Sequence, residues 1–254
     1  MNVVLFAHSQ LSEKMRRKIQ EELGEIVITN GQAISFTAIR TCYSYLKPSE
    51  ILIKEYNRYF NREATDGLGG TDADRLFRMI NNSGHTSTLE HTAFTFAIEG
   101  VTRSLLAQLT RHRVGFSYSV MSQRYVRLES ESKSGGFDYE IPPSIASNSD
   151  AKQAYEDYMR ETQSMYNLLR RLGIPAEDAR MVLPNATHCN LLMTGNITSL
   201  LSFYSKRRKG SGAQWEIANL AEAIRREIVE VEPWLDPFFE MAWYKPKGKK
   251  KEDK

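Results

Sequence analysis

The chain has 254 residues, 41% of them hydrophobic, with three Trp and two Cys, enough to bury a large core. Its net charge of +3 is misleading: residues 245–254 carry six Lys against Glu252 and Asp253, a net +4, which leaves the rest of the chain at −1. No apolar stretch reaches the roughly 20 residues of a membrane span, and Cys42 and Cys189, 147 positions apart, form neither a CxxC pair nor a disulfide framework, so an ordinary globular enzyme of the reducing cytoplasm is expected.

The apolar run in MNVVLFAH predicts a strand over 2–7 and, lacking a basic flank, does not read as a signal peptide. Residues 25–29 predict a second strand and 33–44 a helix. Pro48 precedes Ser49, the expected cap of a helix running to about residue 62. ATDGLGGTDA (64–73) reads as a flexible connection; its glycines suggest a phosphate loop, but no Gly-Lys-Ser/Thr follows. Thr71 with Asp72 and Asp74 then opens a helix that ends near Gly84.

TAFTFAIEGV (92–101) alternates apolar and polar residues as a strand does. From Thr102 the pattern predicts a helix through SLLAQLTRH, with Gln108, Arg111 and His112 on one face. Gly115 is expected to end it and to release SYSVMS (117–122) as a loop. Residues 154–173 form the strongest amphipathic helix, with a stripe of Tyr155, Tyr158, Met159, Thr162, Met165, Tyr166, Leu169 and Leu172, stopped by Gly173 and Pro175. Helices follow at 175–182, 196–206 and 213–231, the last turning Trp215, Ala218, Ala221, Ile224 and Ile228 inward. Without repeats or a long linker, residues 1–244 are expected to form one α/β (α+β) domain, a small mixed or antiparallel sheet flanked by helices. A basic, disordered tail is expected over 245–254.

The most informative stretch is RHRVGFSYSVMSQRY (111–125). Arg103, Arg111, Arg113, Arg124 and Arg127 share one segment, and no acid lies between Glu99 and Glu129. Two such charges 4 Å apart repel by roughly 4 kcal/mol in a partly screened protein environment. Interleaved Phe116, Tyr118, Val120, Met121 and Tyr125 argue against a freely solvated run. The segment therefore reads as an anion site, and phosphate suits the guanidinium fork. Gln108, Ser122 and Gln123 supply hydrogen-bonding groups beside the charges.

Three further constellations stand out. GHTSTLEH (84–91) offers two His and a Glu, but not with HExxH spacing; it reads either as a helix-capping turn or as a polar grip on a cofactor. In EDAR (177–180), Arg180 is spaced to pair with Glu177 across a helical turn. SKRRKGSGAQWEI (205–217) sets four basic residues before a glycine turn and a helix start, either a second anion contact or solvated charge. On residues alone, a nucleic-acid-binding module and a metal-dependent nucleotide phosphohydrolase using His85, Glu90, His91 and His112 also remain open.

In this order the pieces resemble the flavin-dependent thymidylate synthases, the ThyX family. The family signature is RHR, seven residues, then Ser-x-Arg; here eight residues separate RHR from Ser122-Gln123-Arg124. GH-x-x-x-x-EH at 84–91, Gln108, AR-x-VLP at 179–184 and AQWEI at 213–217 also match, so that the resemblance covers about residues 34–235. It implies methylation of dUMP to dTMP, with 5,10-methylenetetrahydrofolate giving the carbon and NADPH the reducing equivalents through FAD. It also implies a homotetramer with shared active sites, and no metal, nucleic-acid or membrane partner.

By position, the resemblance assigns His85, Ser87, Glu90, Arg111, His112, Arg113 and Asn196 to the flavin. It assigns Gln108, Ser122, Gln123, Arg124, Arg180 and either Arg207 or Arg208 to dUMP, and puts Arg111, Arg208 and Ser122 at the reacting centre. Ser122 is expected to contact substrate rather than attack it. The chain departs from the family in the extra residue of the RHR loop. Val120 stands where many members carry Glu, and Cys42 where Ser is common near the flavin.

Overall fold

Apolar–polar alternation builds the sheet, and side-chain caps set most helix starts, in the computed structural model, which describes residues 1–240. Strand β1 (Asn2–His8) is followed by helices α1 (Glu13–Leu23), α2 (Asn30–Thr41), α3 (Pro48–Tyr59) and α4 (Asp72–Ser83). A 3-10 turn (Thr86–Leu89) leads into β2 (Ala93–Thr102), α5 (Arg103–Leu109) and β3 (Phe116–Val120). Then come α6 (Pro143–Ala146), α7 (Ser149–Arg171), α8 (Ala176–Ala179), β4 (His188–Asn196), α9 (Ile197–Arg207), α10 (Trp215–Val231) and α11 (Asp236–Glu240).

The sheet order is β1-β2-β4-β3. Neighbouring strands are antiparallel. Ser9 N–H donates to Ala93 C=O while Asn2 meets Glu99, and Thr95 faces Thr194 while Arg103 N–H donates to Thr187 C=O. Met121 N–H donates to Asn190 C=O while Asn196 N–H donates to Gly115 C=O. The choice between a mixed and an antiparallel sheet thus falls to the latter. Phe94, Phe96 and Ile98 of β2 and Cys189, Leu191 and Met193 of β4 are buried at every second position.

The chain divides into two compact units whose boundaries fall inside all four strands. The first contains Met1–Val4, Ala97–Arg113 and Tyr118–Met193. Its core gathers Leu128, Phe137, Met159, Tyr166 and Ala179. The second contains Leu5–Phe96, Val114–Ser117 and the described residues from Thr194 to Glu240. In it Phe36 packs edge-on against Tyr59 and Phe60, with centroids 5.0 and 5.1 Å apart.

Several expectations need correction. Residues 25–29 form no strand, because Thr29 is drawn off as the cap of α2, with a capping box to Gln32. Lys47 rather than Ser49 precedes α3, whose first residue is Pro48. The helix expected through His112 stops at Leu109, and 116–120 is a strand rather than a loop. Residues 175–182 split into α8 and a 3-10 turn at Arg180–Val182, and β4 was not anticipated. On α7, Met159, Thr162 and Tyr166 are buried, but Tyr158, Met165 and Leu172 of the predicted stripe are exposed. The expected tail over 245–254 lies outside the described residues.

Candidate active site

In the first unit, Thr102 ends β2 and caps α5, its hydroxyl accepting Leu105 N–H at 2.9 Å. Leu105, Leu106 and Leu109 bury the helix and leave Gln108 half-buried. After Leu109 the chain turns, with His112 N–H donating to Leu109 C=O at 3.0 Å. Arg111 to Arg113 therefore sit in a turn, not on the predicted helical face, and both guanidiniums are exposed. The Tyr118 hydroxyl on β3 reaches the carbonyls of Leu109 at 3.1 Å and His112 at 2.7 Å.

Beyond β3, residues 122–126 form a second turn in the same unit. Ser122 C=O accepts Tyr125 and Val126 N–H, and Ser122 Oγ accepts Arg124 N–H at 3.2 Å. Gln123 is 6% exposed, and its buried amide nitrogen has no hydrogen-bond partner among the described residues. Arg124 Nε lies 2.5 Å from Glu177 Oε2, and its guanidinium stands over the Tyr125 ring at 5.4 Å. Arg180 Nε donates to the Glu177 carbonyl at 3.1 Å. The expected pairing of Arg180 with the Glu177 carboxylate is thus replaced: the carboxylate serves Arg124, and Arg180 takes the backbone.

The second unit holds the other candidates. Gly84, in the left-handed conformation at φ 78°, ends α4 and starts the turn that carries His85, Ser87 and Glu90. All three are exposed; His85 Nδ1 lies 3.1 Å from the Tyr43 hydroxyl. Thr198 donates to Thr86 C=O at 2.7 Å and ties the turn to α9. Ser87, Cys42 and His91 line a cavity of about 560 Å³ whose walls include Leu11, Met15 and Ile34. Among the described residues no three His, Cys, Asp or Glu side chains are grouped as they are around a metal ion.

Asn196 caps α9 by accepting Ser199 N–H at 2.9 Å, and Ser199 donates to Val114 C=O at 2.8 Å. Gly115, at φ 72°, lies so close to this knot that a Cβ there would overlap Ser199 Oγ. Arg207 is the last residue of α9; Arg208 follows it, 3.9 Å from Glu240. Ser122, Gln123, Arg124 and Arg180 therefore fall in the same unit as Gln108 and the RHR turn. His85, Ser87, Glu90, Asn196, Arg207 and Arg208 lie in the other. Sequence reasoning missed Tyr118 as a support and Glu177 as the partner of Arg124. The alternation in FSYSV carried the signal for the first.

A family model described as thymidylate synthase complementing protein matches residues 26–234. A flavin-dependent thymidylate synthase of Geobacter sulfurreducens is 39% identical over 173 residues, 68% of this chain and 72% of its own. One from Clostridium tetani is 33% identical over 222 residues, 81% of each chain. The chain belongs to the flavin-dependent thymidylate synthase family. This synthase also shares its fold with a UMP/dUMP methylase, PolB of Streptomyces cacaoi, at a TM-score of 0.68 and 20% identity over 96% of this chain and 97% of that one. No helix among the synthase's described residues is long and apolar enough to cross a membrane.

Proposed function

We propose that this family member converts dUMP to dTMP in the cytoplasm, with 5,10-methylenetetrahydrofolate as carbon donor and NADPH as reductant through FAD. The observation that carries the reading is the convergence of Arg124 and Arg180 on Glu177, beside the orphaned amide of buried Gln123. The Glu177 carboxylate on Arg124 stands in for an anion, with Arg180 held to the same residue's carbonyl, and an unpaired buried donor is costly unless a ligand completes it. The solved PolB relative, which carries 5-Br dUMP, supports a uridine nucleotide as that anion.

The residues present fit a flavin. The cavity beside the His85 turn combines apolar walls with the hydroxyls of Thr37, Thr41 and Ser87, a mixture suited to an aromatic ring system with polar edges. His85, Ser87, Glu90 and Asn196, with Arg111, His112 and Arg113, would hold it. FAD, when bound, supplies the two-electron redox step. Arg111 and Arg208 polarise the uracil carbonyls so that C5 becomes nucleophilic. Gln108, Gln123, Arg124, Arg180 and Arg207 orient the nucleotide, and Ser122 contacts it.

No enzyme nucleophile is required in this scheme. Ser122 Oγ is engaged with the Arg124 amide, Cys189 is fully buried and Cys42 lines the cavity of the other unit. Exposure of Arg111, Arg113 and Arg124 on a single chain supports a homotetramer in which neighbouring subunits complete each site. The reading predicts that purified protein titrated with FAD develops the absorbance of bound flavin. Protein that stays colourless after FAD addition and desalting would count decisively against it.

A further inference from the structure

We propose that Tyr118 is a positioning residue that locks the turn at residues 111–113 into the conformation that receives the flavin; this rests on the reading of that turn as the flavin side. Helix α5 ends at Leu109, and the last carbonyls of a helix lack partners within it. Immediately afterwards the chain must hold two exposed guanidiniums two residues apart, whose repulsion favours splaying the turn. One hydroxyl opposes that. Tyr118 reaches Leu109 C=O, where the turn begins, and His112 C=O, at its middle.

The anchor is itself fixed. Tyr118 lies on β3, an edge strand that pairs with β4 in the sheet. Burial pushes its hydroxyl well above the ordinary tyrosine value, so the donating proton is present throughout the working pH range. The contact also ties the first five residues of the eight-residue segment between RHR and Ser122 back to the turn, and in that segment this chain has one residue more than the family signature. A longer segment has more conformations to lose, and a bond from within it back to the turn removes many of them.

The test removes one hydroxyl and keeps the ring. Tyr155→Phe serves as control, because the Tyr155 hydroxyl likewise donates to a carbonyl, that of Glu140 at 2.9 Å, in the same unit. Three quantities are measured for each variant: FAD affinity by fluorescence titration, dUMP affinity by calorimetry, and amide hydrogen exchange over 109–114. Tyr118→Phe should exchange faster at His112 and bind FAD about three- to tenfold more weakly, the range expected for one lost neutral hydrogen bond. Its dUMP affinity should stay unchanged, and Tyr155→Phe should retain wild-type FAD affinity at a lowered melting temperature. Wild-type FAD affinity in Tyr118→Phe, or an equal loss in Tyr155→Phe, overturns the proposal alone. Wild-type protein that fails to bind FAD overturns the flavin reading and the proposal with it.

Discussion

Glu177 engages two arginines through different atoms, and the difference sets how readily each is released. Its carboxylate pair with Arg124 is solvent-exposed, 56% and 42% for the two side chains, and such pairs contribute at most about 1 kcal/mol. A phosphate monoester offers a charge of about −1.5 to −2 and three acceptor oxygens, and each charge-assisted hydrogen bond to it contributes roughly 1.5–3 kcal/mol. On the proposed assignment, the carboxylate holds Arg124 in place without competing effectively with nucleotide. Arg124→Ala should weaken dUMP binding roughly 10- to 100-fold while leaving FAD binding within about twofold. Parallel titrations with the two ligands decide it, and equal losses for both would refute the assignment of Arg124 to the nucleotide.

At the scale of elements, α2 and α3 are joined by Arg40 and Glu55. The fork is bidentate, Nε to Oε2 at 2.6 Å and Nη2 to Oε1 at 3.1 Å, with both side chains under 15% exposed and Ser44 Oγ adding a bond at 3.0 Å. Burial alone would raise the Glu55 pKa, but the hydrogen bonds from Arg40 and Ser44 bring it below the ordinary glutamate value. A lowered folded-state pKa gives stability that is complete above about pH 4.3, the unfolded value, and is lost as pH falls through the folded value. Urea unfolding between pH 3 and 7 should show this fall, and Glu55→Gln should make it shallower. Equal slopes for the two proteins would contradict the assignment. Glu129, although burial opposes it, is lowered in the same sense by Arg170, so some acid sensitivity should persist.

How far these elements could be read in the sequence depended on where their determinants lay. Helix α4 was legible because Thr71 and Asp74 form a local capping box, and β2 because its alternation is uninterrupted. Residues 25–29 have strand-like composition, yet Val27 is 95% exposed and Thr29 serves α2, with buried Glu232 accepting Gly31 N–H at 2.7 Å across 201 positions. No local signal carries such a contact. The end of α5 was misjudged for a related reason, since the Leu109 carbonyl is shared by His112 N–H in a tight turn and by Tyr118 from a strand nine residues on. The candidate residues themselves were legible as types and spacings. That Glu177 serves Arg124 rather than Arg180 was not, because both arginines are chemically equal partners until the backbone positions them.

At the scale of the whole molecule, the RHR turn and the SQRY turn fall in one unit, and the His85 turn, the apolar cavity and the Arg207–Arg208 pair in the other. Each proposed ligand therefore draws residues from both units. On the proposed assignment, nucleotide binding depends on the Ser122–Val126 turn, α8 and the Arg207–Arg208 end of α9, and flavin binding on the α4–β2 connection, the start of α9 and the turn held by Tyr118. The central claim is that these supports serve one reaction, the methylation of dUMP. Anaerobic incubation of the full-length protein with FAD, NADPH, 5,10-methylenetetrahydrofolate and dUMP should yield dTMP, and omission of any one should abolish it. Bound flavin and bound dUMP with no dTMP formed, or dTMP formed without reductant, would contradict it.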